Sequence, residues 1–405
     1  MTDYKKQINR RRFLAAAAGL TAAGLSGAMP LTAAADDGDK KDKPNKIITR
    51  TLGRTGLEIP IISMGAMSAN DPGLIQAAYE NGMRMIDTAA TYQYGRNEQM
   101  IGLAVEKMGI RDKIIIATKV YESAERRRND PKQAVKNIIR SCDVSLKRLR
   151  TDYVDILYLH DITSPDEAGE ESVRQAMTEL KKQGKIQFSG ISTHTDMAAI
   201  LSRVADDGFY DVALTSYNFT MADDKEMHDA IKKAFTSGVG LVAMKTMAGG
   251  SRWPNPDTRR EFKSETIATA LIKWVMQNEH FTTSIPGFIG YDELELDATV
   301  ARDLEFTADE RKFLSDNQIK LGLGFCRQCR QCLASCPHDV DIPNLMRTHM
   351  YTAQYGNLYH ARHTLDNIES NRGLSACRTC RNCTAECAHT VDIPRRIEEL
   401  KLIYT

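Results

Sequence analysis

The sequence predicts an α/β chain: a (β/α)8 TIM barrel over residues 47–320, followed by a small α-helical module over residues 321–405. Three observations predict it. Short apolar runs recur at intervals of about 30 residues, each followed by a stretch of helical period, and strands alternating with helices make a parallel sheet. Eight such units fit a closed barrel better than an open doubly wound sheet, and no glycine-rich dinucleotide fingerprint follows the first strand. The cysteines are segregated: of nine, eight lie between Cys326 and Cys387, and only Cys142 precedes them.

The elements follow in chain order. Lys5, Lys6 and Arg10-Arg11-Arg12 form a basic start, an uncharged stretch runs from Phe13 to Ala35, and Ala33-Ala34-Ala35 offers small residues for cleavage. The run Asn9-Arg10-Arg11-Arg12-Phe13-Leu14 resembles a twin-arginine (Tat) signal, so residues 1–35 read as an export signal rather than part of the fold. Alanine-rich, weakly apolar residues argue against a retained transmembrane helix, so no membrane span is expected after cleavage. A periplasmic or other extracytoplasmic location follows. Residues 36–46 read as a solvated linker.

The strand expectations are Ile61–Met67, Met85–Thr88, Ile114–Val120, Val154–His160, Phe188–Ser192, Val212–Asn218, Gly240–Met244 and Thr283–Pro286. Between them, Lys132–Arg150 places Ala134, Ile138, Cys142, Leu146 and Leu149 at helical spacing, which makes Cys142 a core residue. Chemistry on a barrel gathers at the C-terminal strand ends. There stand Asp87, Lys119, His160, Ser192 and Asn218. Thr307-Ala308-Asp309-Glu310 is a capping box opening a helix toward Lys320.

The chain has 405 residues, 54 basic and 53 acidic, for a net charge of +1. Without a positive excess, nucleic acid is not an expected partner, and neither is a membrane surface bound through a polybasic patch.

Seven motifs sit in order along residues 46–320: Leu52-Gly53-Arg54-Thr55-Gly56-Leu57, Asp87-Thr88-Ala89-x-x-Tyr92, Ala117-Thr118-Lys119, Asp155 through His160, Gly190-Ile191-Ser192, Tyr217-Asn218 and Ile285-Pro286-Gly287. In these the chain resembles the aldo-keto reductase family. The resemblance implies an oxidoreductase acting on a small carbonyl or alcohol. It assigns Tyr92 as proton donor, Lys119 as the modulator of its pKa, Asp87 as the lysine's partner and His160 as the group that orients the carbonyl. The chemistry suits these types: a phenol of pKa about 10 is a reluctant acid, and an ammonium beside it stabilises its phenolate. Tyr94, which precedes Gly95, is a rival donor.

The same resemblance implies nicotinamide contacts at Ser192, Asn218 and Gly287, and Lys245, Arg252, Arg259 and Arg260 remain either as phosphate contacts or as a solvated basic loop. The sequence departs from the family here. Thr193 follows Ser192, Leu214 stands for a glutamine, Met244 for the stacking aromatic, and no Lys or Arg lies between Gly287 and Ala301. An NAD(P) cofactor would have to be tightly bound, because an exported protein leaves the nicotinamide pool behind.

The module is an internal repeat. Cys326-Arg-Gln-Cys329-Arg-Gln-Cys332-Leu-Ala-Ser-Cys336 aligns with Cys377-Arg-Thr-Cys380-Arg-Asn-Cys383-Thr-Ala-Glu-Cys387. Two C-x2-C-x2-C-x3-C runs indicate two [4Fe-4S] clusters, the fourth cysteine of each run serving the other cluster. One cluster then takes Cys326, Cys329, Cys332 and Cys387, and the other Cys377, Cys380, Cys383 and Cys336. Zinc and disulfides are the rival readings. Helical patterns between the runs, such as Pro343–Gln354, resemble the α-helical ferredoxin type. Arg327, Arg330, Arg378 and Arg381 flank the ligands and would tune potential or meet an acidic electron-transfer partner. Two functions follow: an oxidoreductase whose electrons pass through the clusters, or an electron-transfer or binding subunit whose barrel has lost nicotinamide chemistry.

Overall fold

The computed structural model describes residues 46–249, 261–316, 324–378, 380 and 382–404. The chain opens with a short antiparallel hairpin, β1 (Thr49–Thr51) and β2 (Glu58–Pro60). Eight parallel strands follow: β3 (Met64–Gly65), β4 (Met85–Asp87), β5 (Ile115–Val120), β6 (Val154–Ile162), β7 (Ile186–Thr193), β8 (Val212–Ser216), β9 (Gly240–Met244) and β10 (Phe281–Ser284). They pair in sequence order, and bridges from Ile62 to Ser284 and from Gly65 to Gly287 join β10 back to β3. The sheet is therefore a closed (β/α)8 barrel, as the alternation of strand and helix predicts.

The hairpin plugs the barrel floor. Its turn is the Leu52–Leu57 run, and Gly53 there has φ +48 with Gly240 nitrogen 2.3 Å from where a Cβ would lie, so only glycine fits. Leu52 and Ile59 from the hairpin join Met85, Ile156, Tyr158 and Leu214 in the barrel interior. Gly190 on β7 answers Tyr158: a Cβ at that position would sit 2.5 Å from the Tyr158 ring. A second core layer lies between sheet and helices and contains Cys142, whose burial pushes its thiol up to about 12. The helix Pro131–Leu149 carries it, close to the expected span.

The strand expectations hold to within a few residues, with two informative differences. The run Val212–Asn218 ends as a strand at Ser216, because Asn218 turns the chain: its Oδ1 accepts from Thr220 N and Oγ1. Strand β6 runs past His160 to Ile162, with its register shifted between Leu159 and Ile162 and Asp161 at φ +64. The Thr307 capping box forms with both hydrogen bonds and opens the helix Ala308–Ser315; Lys320 lies outside the described residues.

The module has its own small core, which includes Cys332, Ile342, Leu345, Cys377 and Leu400. The stretch after Met346 leaves that core: Met350, Tyr351 and Ala361 pack instead into the barrel's large cluster, so residues 350–361 lie across the barrel mouth. Helix Ile342–His349 continues into a π-helical turn, Met350–Gln354, and helix Leu358–Asp366 follows. Among the described residues no helix is long and apolar enough to cross a membrane. The twin-arginine run and residues 1–35 lie outside the described residues.

Candidate active site and cysteine-lined cavities

Strand ends place the tetrad. Asp87 ends β4 and Lys119 stands next to the last residue of β5, on neighbouring strands. Their side chains form an ion pair with both partners buried. Lys119 Nζ also donates to Thr88 O at 2.8 Å and to Tyr92 Oη at 3.3 Å. Burial lowers the Lys119 ammonium and raises the Asp87 carboxyl, and each opposes the other's shift as a counter-charge. Tyr92 is held well above the ordinary phenol value by burial and then by the Asp87 charge, so it stands as a neutral phenol, a donor rather than a base.

The loop Thr88–Tyr92 is braced from below. Thr88 Oγ1 donates to Asn97 Oδ1 at 2.6 Å, and Asn97 Nδ2 donates to Ala66 O and Ala69 O. Thr118 Oγ1 donates to Glu98 Oε1 at 2.7 Å. Tyr94, the rival donor, is 73% exposed and lies against Tyr359 with ring centres 3.9 Å apart, away from Lys119. Geometry thus brings Tyr92, and not Tyr94, to the lysine.

His160 completes the tetrad. Its ring stands edge-on to Tyr92 with centres 6.2 Å apart. Burial, then Lys119, drives its pKa well below the usual value, so it is neutral, and its Nδ1 has no partner among the described residues. A second histidine was invisible to sequence reasoning. His360, from the module, stands edge-on to Tyr92 at 5.6 Å, also with an unpartnered buried Nδ1. Tyr351 meets His360 at 4.4 Å, and Lys245 Nζ sits 4.6 Å from the Tyr351 ring centre and 5.3 Å from that of Tyr355. The available signal was compositional: four of the nine histidines lie between Cys336 and Cys377.

A cleft opens beside Tyr92 and Asp87. Lys245, Thr246 and Gly287 line it from the barrel and Gln354 and Tyr355 from the module. Of the three expected nicotinamide contacts, Gly287 lines this cleft and Ser192 and Asn218 do not; Lys245 lines it as well. Ser192 Oγ accepts the Asp161 N–H at 3.1 Å, and Asn218 spends its amide on Lys245 O and on the Thr220 turn. Met244 replaces an aromatic face, and Glu293 adds a carboxylate to the cleft. The described residues therefore do not fit a nicotinamide dinucleotide held in the family's manner. Arg252, Arg259 and Arg260 lie outside the described residues.

The eight cysteines gather in two sets, none in a disulfide. One cavity is lined by Cys326, Cys329, Cys332 and Cys387, and another by Cys336, Cys377, Cys380 and Cys383. These are the sets given by exchanging the fourth cysteine of each run. Among the described residues no three His, Cys, Asp or Glu side chains converge as a single metal ion needs. Four thiols around a cavity fit a cubane cluster instead. Arg327 pairs with the barrel's Asp223 at 3.1 Å, so this arginine serves the seam rather than an outside partner.

The module is clamped to the barrel. Arg347 donates to both Asp161 oxygens, at 2.6 and 2.7 Å, and His194 Nδ1 lies 3.2 Å from the same carboxylate. Tyr359 Oη donates to Thr91 O at 2.9 Å, one residue from Tyr92. A second, small cavity between the two parts is lined by Cys326, Gln328, Arg347, Lys245 and Gln354.

The comparisons agree with this anatomy. Residues 66–261 match the model of the Aldo/keto reductase family, and residues 325–391 that of the 4Fe-4S dicluster domain. The chain is 26% identical over 304 residues to L-galactose dehydrogenase from Arabidopsis thaliana, covering 67% of this chain and 93% of that one. It is 27% identical over 265 residues to methylglyoxal reductase DkgB from Escherichia coli O157:H7, covering 64% and 93%. Among solved structures, the holo form of aldo-keto reductase AKR11C1 from Bacillus halodurans matches with a TM-score of 0.55 and 25% identity, covering 66% of this chain and 95% of that chain. The chain carries an aldo/keto reductase domain and a 4Fe-4S dicluster domain, and it is an aldo-keto-reductase-like oxidoreductase.

Proposed function

We propose that this protein interconverts a small carbonyl compound and its alcohol in the cleft beside Tyr92, exchanging the electrons through two [4Fe-4S] clusters in its own C-terminal module. One observation carries the reading: Lys245 and Gln354 line both the cleft that holds Tyr92 and the small cavity that reaches Cys326. Tetrad and first cysteine set thus face one another across two side chains.

Cys326, Cys329, Cys332 and Cys387 would hold one cluster and Cys336, Cys377, Cys380 and Cys383 the other. When bound, such clusters exchange electrons singly, and two of them match the two electrons that separate a carbonyl from an alcohol. The chain's own groups handle the oxygen. Reducing the carbonyl takes two electrons, drawn from an external one-electron reductant, and two protons: Tyr92, a neutral phenol, gives one to the carbonyl oxygen, and water in the cleft supplies the one that forms the new C–H bond. Lys119 stabilises the phenolate left behind, and Asp87 keeps that ammonium in place. Neutral His160 donates a hydrogen bond to the same oxygen and fixes its orientation. His360, edge-on to Tyr92, and Tyr355, in the cleft wall, narrow the mouth from the module side. Nicotinamide has no part in this reading, because its expected contacts Ser192 and Asn218 are engaged by Asp161 N and by Lys245 O and the Thr220 turn.

We further propose export by the Tat route, on the Arg10-Arg11-Arg12-Phe13-Leu14 run. That route carries folded proteins, which suits a module whose clusters are inserted before crossing.

The deciding experiment uses anaerobically purified protein. Iron and sulfide are quantified, nucleotide released by acid is sought by mass spectrometry, and carbonyl reduction is followed with a reduced viologen as electron donor. Two-cluster iron, no nucleotide and viologen-dependent reduction abolished by Tyr92→Phe support the proposal. Stoichiometric NAD or NADP, or viologen-dependent turnover unaffected by Tyr92→Phe, would sink it.

A further inference from the structure

Gln328 lies in the first cysteine run, between Cys326 and Cys329, and is buried. Its backbone has φ +59, a left-handed conformation that a glutamine seldom adopts without compensation. The side chain shows the compensation. Nε2 lies 2.8 Å from Pro343 O and 3.3 Å from Cys326 Sγ. A carbonyl oxygen only accepts, so the amide nitrogen must face it; its second N–H is then the one directed at the sulfur. The amide oxygen accepts from Thr195 Oγ1 at 3.3 Å, and the Gln328 carbonyl accepts from Asp196 N at 3.4 Å.

Thr195 and Asp196 follow β7, at the barrel's catalytic face. Gln328 therefore connects the barrel directly to a thiolate of the first cysteine set. Other N–H groups on sulfurs of this set, His389 N to Cys387 Sγ at 3.3 Å and the backbone N–H groups of Gln328 beside Cys326 and of Gln331 beside Cys329, are backbone and do not depend on the residue type. In the repeat, the position of Gln328 is taken by Thr379, whose side chain has no N–H.

We infer that Gln328 is a positioning residue through which the barrel sets the reduction potential of the cluster held by Cys326, making the two clusters of the repeat unequal. This rests on the cluster assignment proposed above. The physics is electrostatic. Reduction adds negative charge to the cluster and its sulfurs, and an N–H directed at a thiolate favours the more negative state. The donor raises the potential of the cluster nearer the tetrad. The donor thereby favours holding charge on that cluster, beside the cleft.

The test is a redox titration followed by electron paramagnetic resonance on the anaerobically purified full chain. Gln328→Leu removes the donor at similar volume. One of the two titrating signals should move to lower potential by about tenfold in its reduction equilibrium, which for one electron is about 59 mV, while the other stays. Thr195→Val leaves the amide in place but frees its oxygen, and should move the same signal in the same direction by less. Iron and sulfide are measured on each variant. Two clusters retained with neither signal moved, or both moved equally, overturns the inference. If Gln328→Leu loses iron, Thr195→Val decides alone: one signal lowered supports it, none moved refutes it. A wild-type chain without iron refutes the cluster assignment itself, a distinct result.

Discussion

At the scale of single residues, the buried ion pair of Lys119 and Asp87 organises the site. Neither group reaches solvent, and Asp87 Oδ2 already lacks a partner. Lys119→Met would leave a carboxylate alone in an apolar wall, at a cost of about 3–5 kcal/mol. The double change Asp87→Leu with Lys119→Met removes both charges and should recover most of that loss while remaining inactive. Denaturant midpoints of the three proteins check this, and equal destabilisation of single and double variants would contradict it. Tyr92→Phe behaves differently, since the hydroxyl only receives the Lys119 N–H. It should lower turnover by about 10²–10⁴ with cluster content and unfolding midpoint unchanged.

Between elements, the question is what keeps the module over the barrel mouth. Arg347 and Asp161 provide the buried part of the answer. Burial pushes the Asp161 carboxyl up, but Arg347 and His194 more than reverse this and hold it well below the usual carboxylate range. A depressed carboxyl pKa contributes stability that is present above its unfolded value, about 3.9, and is lost as pH falls through the folded value. The clamp should therefore hold unchanged from neutrality down to about pH 4 and release only in stronger acid. Asp161→Asn should release it at neutral pH, costing about 2 kcal/mol. Limited proteolysis of the Met350–Asp366 region reads both: Asp161→Asn cut at pH 7, wild type resistant at pH 5. Wild type cut at pH 5 would contradict the assignment.

The same scale shows what the sequence could and could not reveal. Barrel strands were legible because each is a buried apolar run with a helix after it. The hairpin strands Thr49–Thr51 and Glu58–Pro60 were not, because three residues show no period. Asp87, Lys119 and His160 were legible as polar residues at strand ends, and of the two tyrosines the resemblance offers, Tyr92 is the one the fold brings to Lys119. Ser192 and Asn218 also stand at strand ends, but there they hold backbone N–H and C=O groups, a use that looks identical in a sequence. The cysteine sets were legible because ligand spacing is local. His360, Gln354 and Tyr355 were not: they reach the mouth only because a segment more than 250 residues after Tyr92 folds back over it.

For the whole molecule, the two hydrophobic cores divide the module against itself. Its own core is small and built around the cysteines: Cys332 and Cys377 are members, and Val340, Ile342, Val391 and Ile393 surround them. A core of that size buries little apolar surface to offset chain entropy, so the clusters proposed above would supply much of its folding free energy. Residues Met350, Tyr351 and Ala361 belong to the barrel's core and need no metal. Removing iron should therefore unfold the module in part. Amide exchange of residues 326–342 and 374–400 should become fast when the clusters are stripped by chelator and oxidant. The mouth-covering segment, Met350 through Ala361, should keep most of its protection, as should the barrel. Hydrogen-exchange mass spectrometry of loaded and stripped protein separates the outcomes. Loss of protection across all of residues 326–404 would mean that the module docks only as an intact unit. Protection retained throughout would mean that the cysteine sets are dispensable for folding. Under the proposed function the split has a consequence: a stripped chain would keep Tyr92 flanked by His360 but lose the proposed electron route, and so stay folded at the mouth while inactive.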